Sequence, residues 1–286
     1  MRITCLLICA CFLIGCNLRP SVRGNEGSLQ AKSESAEESI PSDQEVDFEG
    51  VSFHYDPLVF GDVTKQVVPE HKLEDPTDKP DYVEPKNVRF DFEFKRKDGG
   101  GSARLVIYTL EEFDDAYAID PHMVKWVNDE IAGLRKVLRD PSFRIQGQIP
   151  RVEFADASDD FYVKVRQYDF QSGDGIIFVT HWNSEVSLIS NRNLVYRFEG
   201  ITADGKYFIV AETPVSVAFL PDTSPVDFEG YTARSVYFDQ GSEAKLKSYR
   251  KSISTRLEKL NANDYSPSLE KFEEIISSLK IDSVKP

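Results

Sequence analysis

VRFDFEFK, Val88 to Lys95, is the stretch whose reading decides the fold class. Val88, Phe90, Phe92 and Phe94 alternate with Arg89, Asp91, Glu93 and Lys95, a period of two that gives a strand one apolar and one charged face. KDGGGS follows and turns the chain into Leu105 to Leu110, so the stretch opens a hairpin. Two more hairpins are predicted downstream: FYVKVRQYDF with IIFVTHW around Gly173-Asp174-Gly175, and LVYRFEG with KYFIVAETPV around Asp204-Gly205. Together they make the middle of the chain an antiparallel sheet.

Helices are expected at three points. Asp120 caps a helix opened by Pro121, with Met123, Val127, Ile131, Leu134 and Leu138 on one face and Pro141 as its stop. Ser242 opens a second, with Leu246, Tyr249, Ile253, Leu257 and Leu260 at helical spacing; Ser266-Pro267 starts a third, whose face is Leu269, Phe272, Ile276 and Leu279. Antiparallel strands with segregated helices read as an α+β domain. Val68 to Lys86, rich in proline and acidic residues, is read as a long surface loop inside that domain.

The N-terminus has a different character. From Asn17 to Asp47 no aromatic residue occurs, and Ser, Glu, Gly, Gln and Pro are plentiful. Such a composition buries too little apolar surface to offset the entropy of ordering, so residues 16–47 read as a disordered tether and 48–286 as one globular domain. Before the tether, Arg2 precedes an apolar run from Ile3 to Ile14, the layout of a secretory signal and too short to span a bilayer. All four cysteines, Cys5, Cys9, Cys11 and Cys16, lie in this opening segment. Its end, Leu13-Ile14-Gly15-Cys16, resembles the lipobox of bacterial lipoproteins. The resemblance implies removal of residues 1–15, a diacylglyceryl thioether on Cys16 and an acyl chain on its amino group, an attachment to a bacterial membrane that outlasts single-chain binding. The mature chain would then have no free thiol and no disulfide, which excludes metal sites built from cysteine.

Removing residues 1–15 takes away one Arg and leaves 33 basic against 48 acidic side chains, a charge of −15. Phosphate recognition draws on clustered Lys and Arg, so nucleic acid is excluded as a partner, and the same acidity would hold the domain off an anionic lipid surface. One segment departs from it. The helix from Ser242 holds Lys245, Lys247, Arg250, Lys251, Arg256 and Lys259 against Glu243 and Glu258, either a solvated face or a ridge for an anionic partner.

GVSFHYDPLVF (Gly50 to Phe60), GKYFIVAETPV (Gly205 to Val215) and FEEIISSLKI (Phe272 to Ile281) together resemble the PsbP-like fold. DFQSGDGIIF and ADGKYF are similar to hairpins of bacterial lipoproteins without assigned activity. The resemblance implies an antiparallel sheet covered by helices, an α/β/α sandwich, and a protein-binding accessory role with no shared catalytic site.

Chemistry leaves few marks. His54, His71, His122 and His181 share no metal-ligand spacing, and H-E-x-x-H and G-x-S-x-G are absent. Asp156, Ser158 and Asp160 alternate as in a calcium loop, but Phe161 and Gln167 stand where that loop needs Gly and Glu. No cofactor is implied. The candidate binding residues are Asp169, His181 and Trp182: His181-Trp182 ends a strand, Asp169 lies on its hairpin partner, and an exposed Trp would stack on a sugar or anchor a protein. The expectation is an exported, membrane-anchored accessory domain that binds another component of the cell envelope. An extracytoplasmic enzyme and a carbohydrate- or ligand-binding lipoprotein are the alternatives.

Overall fold

The computed structural model describes residues 43–75, 83–96, 99–140, 149–153 and 158–284. The described chain enters on β1 (Gln44–Phe48), which turns back into β2 (Val51–Tyr55) with Gln44 opposite Tyr55 and Asp47 opposite Ser52. This moves the start of the domain: Gln44 to Asp47, expected to belong to the tether, are paired strand. Val46 and Phe48 supply a short period-two face that composition alone does not register, and Val46 is buried. The rest of the expected tether, the signal and Cys16 lie outside the described residues.

The one-turn helix α1 (Pro57–Phe60) is capped by Asp56, whose carboxylate accepts from the Leu58 N–H at 3.0 Å. Then come β3 (Asp62–Val68), β4 (Asn87–Arg96), β5 (Gly99–Thr109), α2 (Leu110–Ala116), α3 (Pro121–Arg139), β6 (Ser158–Phe170), β7 (Gly173–Asn183), β8 (Leu194–Thr202) and β9 (Tyr207–Pro214). Seven of these strands form one antiparallel sheet in the order β3-β4-β5-β9-β8-β7-β6. After it the chain runs through β10 (Ser216–Val217), β11 (Asp227–Phe228), β12 (Tyr231–Thr232), α4 (Ala233–Tyr237), α5 (Ser242–Lys259), β13 (Tyr265–Ser266), α6 (Leu269–Ser278) and β14 (Lys280–Ile281). Strand β14 closes a small second sheet, β1-β2-β14.

The protein is an α+β structure built on an antiparallel sheet with a separate apolar core on each face. Phe90, Phe92, Ile107, Ile177, Val179, Phe198 and Ile209 face β2, α5 and α6, whose Phe53, Ile253, Phe272 and Ile276 complete that core. Val106, Tyr108, Ile176, Phe178, Phe208 and Val210 face the other way, onto Phe113 of α2 and Val127, Ile131 and Leu134 of α3. Strand β8, in the middle, is buried at every residue, whereas β4, nearer the edge, keeps the alternation that made it legible.

Helix α3 has the expected cap, with the Asp120 carboxylate accepting from the His122 N–H at 2.9 Å, but Val137 is buried where Leu138 was expected and Leu138 is half-buried. The last helix starts two residues later than predicted, at Leu269. The β6–β7 turn is Gln171-Ser172, so Gly173, Asp174 and Gly175 are strand rather than turn. The loop between β3 and β4 lies where expected and is pinned by a bridge between His71 and Glu84.

Candidate functional site

Strand alternation places Arg104 of β5, Glu212 of β9 and Arg197 and Glu199 of β8 on the α3 side of the sheet. Arg104 lies opposite Glu212, and Glu212 opposite Arg197, so three neighbouring strands present a positive, negative, positive row in register. Arg104 Nε donates to Glu212 Oε1 at 2.9 Å, and Arg197 donates from Nη1 to Glu212 Oε2 at 2.8 Å and from Nε to Glu199 Oε1 at 2.7 Å. Glu153 drops onto this row from the segment after α3. Its Oε2 accepts from Arg197 Nη2 at 2.9 Å and Arg104 Nη2 at 3.1 Å, and its Oε1 accepts from the Tyr108 hydroxyl at 2.7 Å. Arg197 is 2% exposed. Its planar fork donates in three directions to three carboxylates, a geometry that a lysine ammonium on its flexible stem does not reproduce.

Each guanidinium here already has carboxylate partners, so the row's chemistry is cohesive: it ties the 149–153 segment to the sheet. Burial alone would raise the Glu153 carboxyl, but Arg104, Arg197 and the Tyr108 hydrogen bond outweigh it and hold the group down at about 2. A carboxyl depressed in the fold stabilises it above the ordinary carboxylate range, and that contribution disappears as pH falls through about 4.5 toward 2. The unfolding free energy, followed by urea titration, is therefore expected to drop by about 3 kcal/mol over that window through this group alone. Glu153→Gln should be less stable than the parent near neutral pH and draw level with it at the acid end.

The structure separates the three residues singled out in the sequence. Asp169 is exposed and pairs with Asp174 beside the β6–β7 turn, seven residues from His181 along β7, about 23 Å. His181 is fully buried, and its Nε2 accepts from the Ser190 N–H at 3.3 Å, so it acts as a core histidine fastening the β7–β8 connection. Trp182 follows it and faces the opposite side of the sheet. There the Arg151 and Arg197 guanidinium groups lie 4.8 and 5.4 Å from its ring centroid. Asp156 of the calcium reading lies outside the described residues.

Beyond Trp182 the loops at this end of the sheet form a different kind of surface. Tyr237 of α4 donates its hydroxyl to the Ser187 carbonyl at 3.2 Å and accepts from Asn183 Nδ2 at 3.4 Å, and the Leu188 N–H donates to Ser224 Oγ at 3.1 Å. Buried Asn191 fixes the preceding loop, with Nδ2 donating to the Val217 and Leu220 carbonyls and Oδ1 accepting from the Val217 N–H. These bonds bring the segments around 183–188, 224–228 and 237–238 together. On them Val226 is 90%, Phe238 71% and Val186 48% exposed, with the exposed carboxylates of Glu185, Asp222 and Asp227 in the same loops. Sequence reasoning missed this surface because exposure of a Phe beside a short helix has no periodic signature; it missed the charge row because strand order and register are not written in a single sequence. One sign was available: Arg197 and Glu199 two apart in the otherwise apolar LVYRFEG.

Compared with models of known families, with curated proteins and with solved structures, the chain gives no significant match, so its fold and these two clusters are the ground for any reading of its role.

Proposed function

We propose that this chain is an exported protein held to a bacterial membrane through a lipidated Cys16, and that its folded domain binds a protein of the cell envelope through the surface of Val186, Val226 and Phe238. The observation that supports the binding role is the exposure of these three apolar side chains on loops tied down by hydrogen bonds. Apolar side chains kept in water add nothing to folding, and held on ordered loops they lose little entropy when a partner covers them. The carboxylates of Glu185, Asp222 and Asp227 select a partner whose apolar residues stand among Lys and Arg, and steer its approach. The anchor reading is supported by Leu13-Ile14-Gly15-Cys16 after the apolar run.

The test is a photo-crosslinking residue at position 238 in intact cells, with the same residue at Leu58, 64% exposed on α1, as the control. One discrete adduct from position 238, absent from position 58 and weakened by Val226→Asp, is the expected result. The same adducts from both positions, or an adduct indifferent to Val226→Asp, would remove the surface from consideration. Mass spectrometry of the mature N-terminus tests the anchor separately, since Cys16→Ser should release the protein from the membrane fraction.

A further inference from the structure

Helix α5 holds six basic residues against two acidic ones in a chain of net charge −14. Their uses differ. Arg256 pairs with Glu229 and lies over the Phe219 ring, its guanidinium carbon 3.8 Å from the centroid, so it is spent inside the domain. Lys245, Lys247, Lys251 and Lys259 are exposed, and none has an ion pair among the described residues. Tyr249, Ile253 and Leu257 define the buried side of the helix. At about 100° per residue Lys251 stands opposite it, with Lys247 and Lys259 about 60° to either side of that direction and Lys245 farther round on the flank.

Between the lysines the outward surface is low. Ala244, Ser248, Ser252 and Thr255 are exposed, and the Ser248 and Thr255 hydroxyls fold back onto the Ala244 and Lys251 carbonyls at 2.9 and 2.7 Å. Of the two acids, Glu258 is turned toward β6, where its Oε2 accepts from the Lys164 N–H at 2.7 Å, and Glu243 sits at the first turn. The face therefore presents ammonium groups above a smooth helix about 27 Å long, with no exposed apolar side chain larger than alanine. A protein interface draws its energy from buried aromatic and aliphatic anchors, which this face lacks. A flat anionic surface asks only for charge.

We infer that the lysine face of α5 docks on the anionic phospholipid headgroups of a bilayer. The remaining negative charge of the domain does not oppose this, because screening confines the interaction to groups within roughly 8 Å of the surface. Each lysine near such a surface contributes about fivefold to the docked-to-undocked ratio. The anchor of the proposed function would raise the local concentration of headgroups, and the inference rests on that reading for proximity alone.

The experiment uses the full chain purified from membranes and mixed with vesicles of phosphatidylcholine, with and without phosphatidylglycerol. Labelling by a water-soluble amine reagent is read lysine by lysine by mass spectrometry. Lys245, Lys247, Lys251 and Lys259 should be protected only when phosphatidylglycerol is present, while exposed Lys136 of α3 and Lys95 of β4 label equally in both. In Lys247→Gln/Lys251→Gln the docked-to-undocked ratio, read at Lys245 and Lys259, should fall about thirtyfold. Equal labelling in the two vesicles overturns the inference, as does protection that the double variant leaves unchanged. Protection by soluble poly(glycerol phosphate) but not by vesicles also overturns it, in favour of a polymer. Flotation with phosphatidylcholine alone reports the acyl anchor: a chain that fails to float there, yet is protected by phosphatidylglycerol, loses the anchor and keeps the docking face.

Discussion

Arg197→Met is expected to lower the unfolding free energy by about 3 to 5 kcal/mol, the range for breaking a buried ion pair by removing one partner. In a domain of this size that corresponds to a fall in Tm of roughly 6 to 20 °C. The size follows from the three carboxylates that Arg197 satisfies. Glu212 and Glu153 retain Arg104, but Glu199, 1% exposed, loses its 2.7 Å bond to a guanidinium that neutralised it. Glu199→Gln in the Arg197→Met background should recover part of the stability, a coupling that a simple packing defect at position 197 would not produce. Arg197→Lys keeps the charge and loses the three-way fork, so it should fall between parent and methionine. Calorimetry on the five proteins, the fifth being Glu199→Gln alone, closes the cycle; additive losses would mean that the row is not a cooperative unit.

The contrast between this row and the strands that hold it explains what a single sequence discloses. Val88 to Lys95 could be read because β4 lies toward the edge, one face in the core and the other partly in water, so burial writes a period of two into the chain. Helix α3 could be read because Asp120, Pro121 and Pro141 punctuate it. Strand β8 is buried on both faces, and such a strand has no polar register to read. Beyond Glu199 on its own strand, Arg197 finds its partners in Glu212 of β9, the strand set beside it by the order β5-β9-β8, and in Glu153 from the segment after α3. That order is a property of the sheet and not of any window of residues. Helices α1, α2 and α4, with four, seven and five residues, are too short for a 3.6-residue period to repeat. The same limit applies to the candidate site: His181 and Trp182 are adjacent in the chain and on opposite faces of the sheet, so reading them as one cluster joined two environments that the backbone separates.

Gly175→Ala is expected to destabilise the protein by about 3 kcal/mol, although alanine is the smallest change available and the backbone there needs no left-handed conformation. Gly175 and Gly200 are cross-strand partners on β7 and β8, and the ring of Phe198 lies over both. A Cβ on Gly175 would stand 2.3 Å from the ring and 2.6 Å from the Glu199 carbonyl oxygen; one on Gly200 would stand 2.6 Å from the same ring. The ring has nowhere to go, being fully buried with Phe170 packed edge-on at 5.8 Å between centroids. These glycines are the floor of an aromatic slot, which is why reading Gly173-Asp174-Gly175 as a turn misplaced it: the same residue type serves a bend or a close approach, and only the partner strand distinguishes them. Phe198→Leu alone should cost about 1 to 2 kcal/mol. Combined with Gly175→Ala it should cost less than the sum, since the shorter side chain vacates the space that the new methyl needs. Urea unfolding of the four proteins decides it, and a strictly additive double variant would show that the glycine serves the backbone and not the ring.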